Sequence, residues 1–448
     1  MKQRETTQKK TRIPTLLLCA ACLLTLLTAC GGKDDARSTG DGKSSGATVS
    51  TSGTKTPTSV KAPDYYDSTD GSAEFTKELL DCDVSAADES GQCGANLNWY
   101  WFKEKKLLVI RGSGDMYDYT DEHDTNPAPW VGLKTGDHTN AVKYCVVESG
   151  VTSLGDYAFD GQAQYARGIR LPNTLKRIGE SCFDHLRNIK IFTIPASVTE
   201  LGVRMFFDAG VTSVVFADGC AVEAIPELCF AGCGDLTDLT LPDTVKALGA
   251  DCFSRTKSLK SFHLPPLVTT IPSGAFNSAG VEVLDLTGIT TIEKEAFIYV
   301  QSREVRIPGT VKTIAEGAFL ACPNLEKVVL GEGVETIERN AFYKCEILVL
   351  PELPSSICTI GENAFYDCYG RFEVFTVPEG VVSIGENAFY RTGMVEAVLP
   401  DSLESIPDSA LDHCPKLEKV TLSAHTWILD EKGSEIEKFS YVKETVRR

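Results

Sequence analysis

Sixteen cysteines and six histidines are the side chains of this 448-residue chain best suited to chemistry. A cysteine can attack a carbonyl, ligate a metal as its thiolate or pair into a disulfide, and a nearby histidine would serve as its base. Their spacings argue against a metal site. His123, His138, His185, His263, His413 and His425 are scattered, with no H-E-x-x-H pair and no calcium-loop pattern. The acidic stretch "DYTDEHDTN" (Asp118–Asn126) carries the oxygen ligands calcium takes, but reads as a solvated loop. "GKSSG" at Gly42–Gly46 has the letters of a serine nucleophile elbow without the flanking strand and helix that would strain the turn. No metal, no cofactor and no catalytic residues are expected, although the sequence leaves open a Cys–His pair brought together by folding.

The cysteines point instead to architecture. Cys233, Cys322, Cys345, Cys368 and Cys414 each stand three residues after a Phe or Leu, and Cys182, Cys229 and Cys252 each directly precede a Phe. Free Cys packs as a small hydrophobe, so these eight read as buried structural thiols. Thirteen cysteines lie beyond Cys30, an odd number, so at least one stays unpaired within a monomer. Cys82 and Cys93 are the disulfide candidate, by proximity alone.

The elements that fix those offsets emerge from one phrase. "IGENAFY" stands at Ile360–Tyr366 and recurs at Ile384–Tyr390. Looser copies end at Phe159, Phe183, Phe206, Phe230, Phe253, Phe276, Phe297, Phe319 and Phe342, and the series closes at Leu411, with spacings of 21–24 residues. Each unit has a second half, as in "NLEKVVLGEGVETI" (Asn324–Ile337). Alternation over its short strand places Val328 and Leu330 inward and Val329 outward. A Pro or Gly then breaks the strand, as at Pro195, Pro242, Pro308 and Pro378. The "GENAF" half suits a short helical turn or a tight corner. One unit buries little alone, whereas stacked units share a continuous core of Ile, Leu, Val and Phe. The fold class is therefore an α/β repeat solenoid.

These residues resemble the bacterial leucine-rich repeats of the BspA-like type, over Val142 to Leu422. The resemblance implies a leucine-rich-repeat stack of about 12 units of 21–24 residues with short parallel strands. The preceding "SGQCGANLNWYWFKEKKLLVIRGSGDMYDY…PW" (Ser90–Trp130) is similar to the leader found in many secreted members. Its Trp99, Trp101, Met116 and Trp130 are able to cover the first repeat, as a solenoid end requires. The expected organisation is a signal peptide at 1–29, a linker at 30–64, a small β-rich N-terminal cap region at 65–141, leucine-rich repeats at 142–424 and a C-terminal cap or tail at 425–448.

The N-terminus sets the compartment. A basic segment (Lys2, Arg4, Lys9, Lys10, Arg12) precedes "TLLLCAACLLTLLTA" (Thr15–Ala29), too short for the roughly 20 residues of a permanent membrane helix. It reads as a secretory signal. "LTAC" resembles the bacterial lipobox, which implies lipidation at Cys30 and a membrane attachment through that lipid only. The following stretch to Asp64 is nearly free of large apolar residues and reads as a flexible tether. The full chain carries a net charge of −18, and loss of residues 1–29, five basic and one acidic, leaves −22. Such a chain repels phosphate backbones, so no nucleic acid is expected.

Solenoids display extended surfaces and rarely enclose a catalytic pocket. The outward strand residues form one column, mostly Thr and Val, which suits any exposed sheet. His263, Asp285 and Arg306 interrupt it and are the candidate ligand face. The resemblance implies a non-enzymatic, lipid-anchored protein at the bacterial surface that binds extracellular or cell-surface proteins in adhesion to host or neighbouring cells. The alternative is an envelope scaffold binding cell-wall glycan or another membrane protein. Exposed Trp99, Trp101 and Trp130 would favour glycan, and buried ones protein binding or plain capping.

Overall fold

A computed structural model describes residues 63–121, 123–133, 141–160 and 162–448. The signal peptide, Cys30, the tether, the Gly42–Gly46 pattern and His138 lie outside the described residues. The chain coils as a parallel-strand β-solenoid of about 13 turns. It is carried by strands and turns, and the one α-helix among the described residues is Lys77–Leu80, outside the repeats. The repeat corners are tight turns, except the last, where Asp408–Leu411 forms a single 3-10 turn.

The Phe342 rung shows why the sequence folds this way. Its long strand, Lys327–Leu330, buries Val328 and Leu330 and pairs in parallel with Glu304–Ile307 of the rung before. After the glycine turn, Thr336–Ile337 forms a second short strand, paired with Thr313–Ile314 and Thr359–Ile360. The corner then turns "RNAFYK" inward on Phe342. Two residues per corner, two before and two after the Phe, take left-handed backbone: Asn340 and Lys344 here, Asn363 and Asp367 in the next rung. Asn tolerates that region, and Gly274 and Gly317 fill the first position in two other rungs. The alternation aims every second N–H at the next rung. Asn340, Phe342 and Lys344 donate to the carbonyls of Glu362, Ala364 and Tyr366 at 2.7–2.9 Å.

Inside, the phenylalanines form one ladder. From Phe159 to Phe389 successive rings lie 5.1–6.0 Å apart, near parallel, and from Phe183 onward are almost wholly buried. Each contributes about 1.5–3 kcal/mol by leaving water. Two polar ladders flank it and satisfy main-chain carbonyls that the corners leave over. The Cys345 thiol donates to the Phe319 carbonyl at 3.0 Å, and Cys322, Cys368, Cys233 and Cys414 repeat the contact. Hydroxyls ahead of the inward Val, Leu or Ile do the same, as Thr310 to Ile289 (2.6 Å) and Ser356 to Val334 (2.7 Å).

The two ends differ from the repeats. Trp130 occupies the place a corner Phe would take, tilted over Phe159 at 5.8 Å, with Trp99 and Tyr119 edge-on to it. Its indole N–H donates to the Ala158 carbonyl at 2.7 Å, which lets so large a polar-tipped ring be fully buried. At the other end Glu444–Arg447 adds a further parallel strand beside Lys419–Leu422, and Phe439 is buried. One N-terminal strand is not at the tip at all. Tyr65–Thr69 lies between the Gly168–Pro172 and Ile191–Ile194 strands, antiparallel to both. Asp67 is held by both arms of the Arg170 fork (2.6 and 2.7 Å), and Arg167 grips Asp70.

Candidate functional site

The long strands expose one face of the solenoid, and its registry fixes which side chains are neighbours. Asp285 pairs in register with Arg306, and Arg306 with Val329. A bridge between Ser261 and Val283 sets His263 beside Asp285 in the same column. All three candidate residues are exposed. They are column neighbours rather than a bonded cluster. Arg306 turns to Glu304 of its own strand at 2.6 Å. The Asp285 carboxylate accepts from the Thr287 N–H at 3.0 Å, and the Thr287 hydroxyl, that N–H and, more weakly, the nearness of His263 hold its pKa below the usual carboxylate value.

Asp285 and Arg306, though not His263, line an open groove of about 1010 Å³, with Val283, Arg303, Glu304 and Val329 among its other residues. A second outward column runs two residues ahead of the first and was not singled out from sequence, although the same alternation marks it. It places Val283, Glu304 and Lys327 in register, and later Val374, Glu396 and Lys419. Lys327 reaches Glu304 at 3.6 Å and Lys419 reaches Glu396 at 3.7 Å. Val283, 70% exposed, is the most exposed large apolar side chain of the described residues. The groove therefore mixes an apolar floor with charges of both signs.

The sequence also holds a second aromatic ladder, outside the corners. Tyr343, Tyr366, Tyr390, His413 and Tyr441 stack at 4.5–5.0 Å between centroids. Its signal was the Tyr that follows Phe in three successive repeats. The rings cover one another's faces, so the ladder offers edges and hydroxyls, and His413 is paired with Asp412 at 2.7 Å.

Most of the thiols are buried. All thirteen described cysteines are free, including Cys82 and Cys93, so the suggested disulfide is not formed. Burial pushes Cys93 and Cys233 up to about 12 and raises Cys145, Cys182, Cys229, Cys252, Cys322, Cys368 and Cys414 as well. Cys358 is exposed and Cys82 half-buried. In the acidic loop, Asp118 accepts from the Asp156 N–H and Asp121 from the His123 N–H. Among the described residues no group of three or more acidic, His or Cys side chains is placed to hold a metal ion. Trp99, Trp101 and Trp130 are all buried. No helix among the described residues is long and apolar enough to cross a membrane.

The family described as BspA type leucine rich repeat region matches in six copies, over residues 137–233, 223–349 and 348–432. A leucine-rich repeat protein from Bacteroides ovatus superposes with a TM-score of 0.52 at 20% identity, covering 75% of this chain and 95% of its own. A leucine rich cell surface protein from Faecalibacterium prausnitzii gives 0.41 at 20% identity over 76% and 96% of the two chains. The pneumococcal vaccine antigen PcpA gives 0.45 at 19% over 81% and 99%. No curated protein sequence matches the chain.

Proposed function

The chain belongs to the BspA-type leucine-rich repeat family, and from that premise we propose that it is a non-enzymatic bacterial surface protein whose exposed sheet face binds extracellular or cell-surface proteins. The observation that carries this reading is the groove at Val283, Asp285 and Arg306, where apolar surface is rimmed by both charges. That mixture is what protein interfaces use, an apolar centre with charged edges that set register. The buried tryptophans support protein over glycan as ligand. Lipidation of Cys30 and tethering by residues 30–64 belong to the same proposal and rest on the sequence, as do the boundaries of the cap region (65–141), the repeats (142–424) and the tail (425–448).

A second reading, an envelope scaffold that binds cell-wall glycan or another membrane protein, is favoured by Trp427 and Tyr441, 51% and 56% exposed. One experiment separates the two. The full-length chain and its Asp285→Lys/Arg306→Glu variant are offered host matrix proteins and purified cell wall. Protein capture lost in the variant supports the first reading, and cell-wall capture unaffected by it supports the second. Retention of neither material would overturn both. Replacing Cys30 with Ser should release the protein from the membrane fraction, and unchanged partition would refute the lipid anchor.

A further inference from the structure

Neighbouring repeat rungs are joined at three places: the corner, the long-strand ladder and the short-strand ladder. At the boundary between the Phe319 and Phe342 rungs, for example, three corner bonds are joined by Lys327 N–H to Arg303 on the long-strand side and Thr336 N–H to Lys312 on the short-strand side. The boundary between the Phe253 and Phe276 rungs is different. The nine-stranded sheet ends at Asp238–Thr240, and the next long-strand sheet begins at Val283–Asp285, with Ser261 joined only forward by its bridge to Val283. On the short-strand side one sheet ends at Ala247–Leu248 and another begins at Thr270–Ile271. Among the described repeats this is the boundary at which both ladders stop together. What crosses it is corner bonding: Asp251, Phe253 and Arg255 donate to Ser273, Ala275 and Asn277 at 2.7–3.0 Å, and Gly280 donates to Thr256.

The sequence explains the lapse. Four donors bond back to the preceding rung elsewhere, and this rung has replaced each of them. Pro272 stands where the N–H of Gly249 or Gly361 donates, and Pro265 lacks the N–H that Ala217 and Gly331 give, although Pro242 and Pro308 lack it too in rungs whose long strands pair. Proline has no N–H to give. Leu267 stands where Thr244 and Thr310 use a hydroxyl, and Ala279 where Cys322 and Cys345 use a thiol. Apolar packing continues across the gap, with Phe253 and Phe276 5.3 Å apart and Phe262 wedged against both.

The geometry points to a hinge along the corner of this boundary, dividing the solenoid into one rigid block ending at Thr256 and another beginning at Leu259. Corner hydrogen bonds and stacked rings keep the hinge edge closed, while both strand faces are free to open. The hinge passes through the proposed binding face. His263 lies on the hinge rung, and Asp285 and Arg306 lie just beyond it, so opening would change their spacing from Val215 and Thr240. The inference concerns the backbone alone and stands whether or not that face binds protein.

Hydrogen exchange and distance measurement on the full-length protein test it. Amides of residues 260, 261, 269 and 270 should exchange roughly tenfold or more faster than their counterparts at 326, 327, 335 and 336, since the latter donate to Arg303 and Lys312 of the rung before and the former have no such acceptor behind them. Spin labels at Ser213 and Lys327, five rungs apart across the boundary, should give a broader distance distribution than labels at Glu304 and Lys419, five rungs apart beyond it. The triple variant Leu267→Thr/Pro272→Gly/Ala279→Cys, which restores three donors, should slow that exchange and narrow the distribution. Equal protection of the two sets of amides, or equal widths for the two label pairs, would overturn the hinge.

Discussion

Two aromatic ladders run along this molecule, and they obey different rules. The inner one, Phe159 to Phe389, has a ring in every rung, because each layer must present the next with the same buried surface. The outer one, Tyr343 to Tyr441, stacks as closely but exists only in the C-terminal rungs. At the same corner position earlier rungs carry Asp184, Phe207, Ala231, Ser254, Asn277, Ile298 and Leu320. The interior repeats because the fold demands it, and the exterior is free to vary. An uninterrupted run outside is therefore worth more as a clue to function than a longer run inside.

The sharpest way to break this comparison is to delete one ring from each ladder. Phe365→Ala should destabilise by about 3–5 kcal/mol, the cost of a large core truncation and its cavity. Tyr366→Ala, one residue away, should cost only about 0.5–1.5 kcal/mol, since half-exposed rings lose stacking and little burial. Denaturant unfolding of the two variants reads both. Equal losses would mean that the outer ladder is structural too.

Between these extremes sits the thiol ladder, buried yet polar. Cys345→Ala removes a small apolar group and leaves the Phe319 carbonyl without its donor, so the loss should be about 1–2 kcal/mol. Cys345→Thr, which keeps a donor, should recover part of it. Native-state alkylation gives the complementary reading. Among the described cysteines, Cys358 should react first and Cys82 next, whereas thiols raised by burial should stay unmodified until unfolding. Rapid labelling of Cys322 or Cys345 in folded protein would contradict their place in the core.

Much of the inner ladder was legible because a period of 21–24 residues writes each core position many times over. Alternation in "KVVL" correctly put Val328 inside and Val329 outside, and Trp99, Trp101, Met116 and Trp130 are buried. Three things escaped, each for a physical reason. Arg306 could have faced Asp285 across the sheet, but it pairs with Glu304, two residues back on the same face, at 2.6 Å. Glu362 and Asn363, polar residues of the repeated phrase, are half-buried because adjacent corners shield one another. The strand Tyr65–Thr69 gave no local sign of its place, since its partner Arg170 lies 103 residues away from Asp67. Periodicity speaks only for segments that repeat, and this strand occurs once.

That single strand supplies the mildest test, a contact on the outside that works by charge. Burial alone would raise the pKa of Asp70, but the Arg167 side chain, the Ser72 N–H and hydroxyl and the Ala73 N–H outweigh it and hold the value at about 2, against 3.8 for a free carboxylate. A folded-state value below the unfolded one stabilises the charged form. The contribution is complete above about pH 4 and is lost as the pH falls toward 2. Comparing wild type with Asp70→Asn at each pH cancels the other carboxylates. The variant should be slightly less stable near pH 6, by less than Tyr366→Ala is, because the Arg167 side of the pair is half exposed. The two melting curves should converge as the pH approaches 2. A gap that stays constant across that window would show that the Asp70 charge does not hold the strand, and that the strand is seated by Tyr66 and Ser68, both buried, as the inner ladder is.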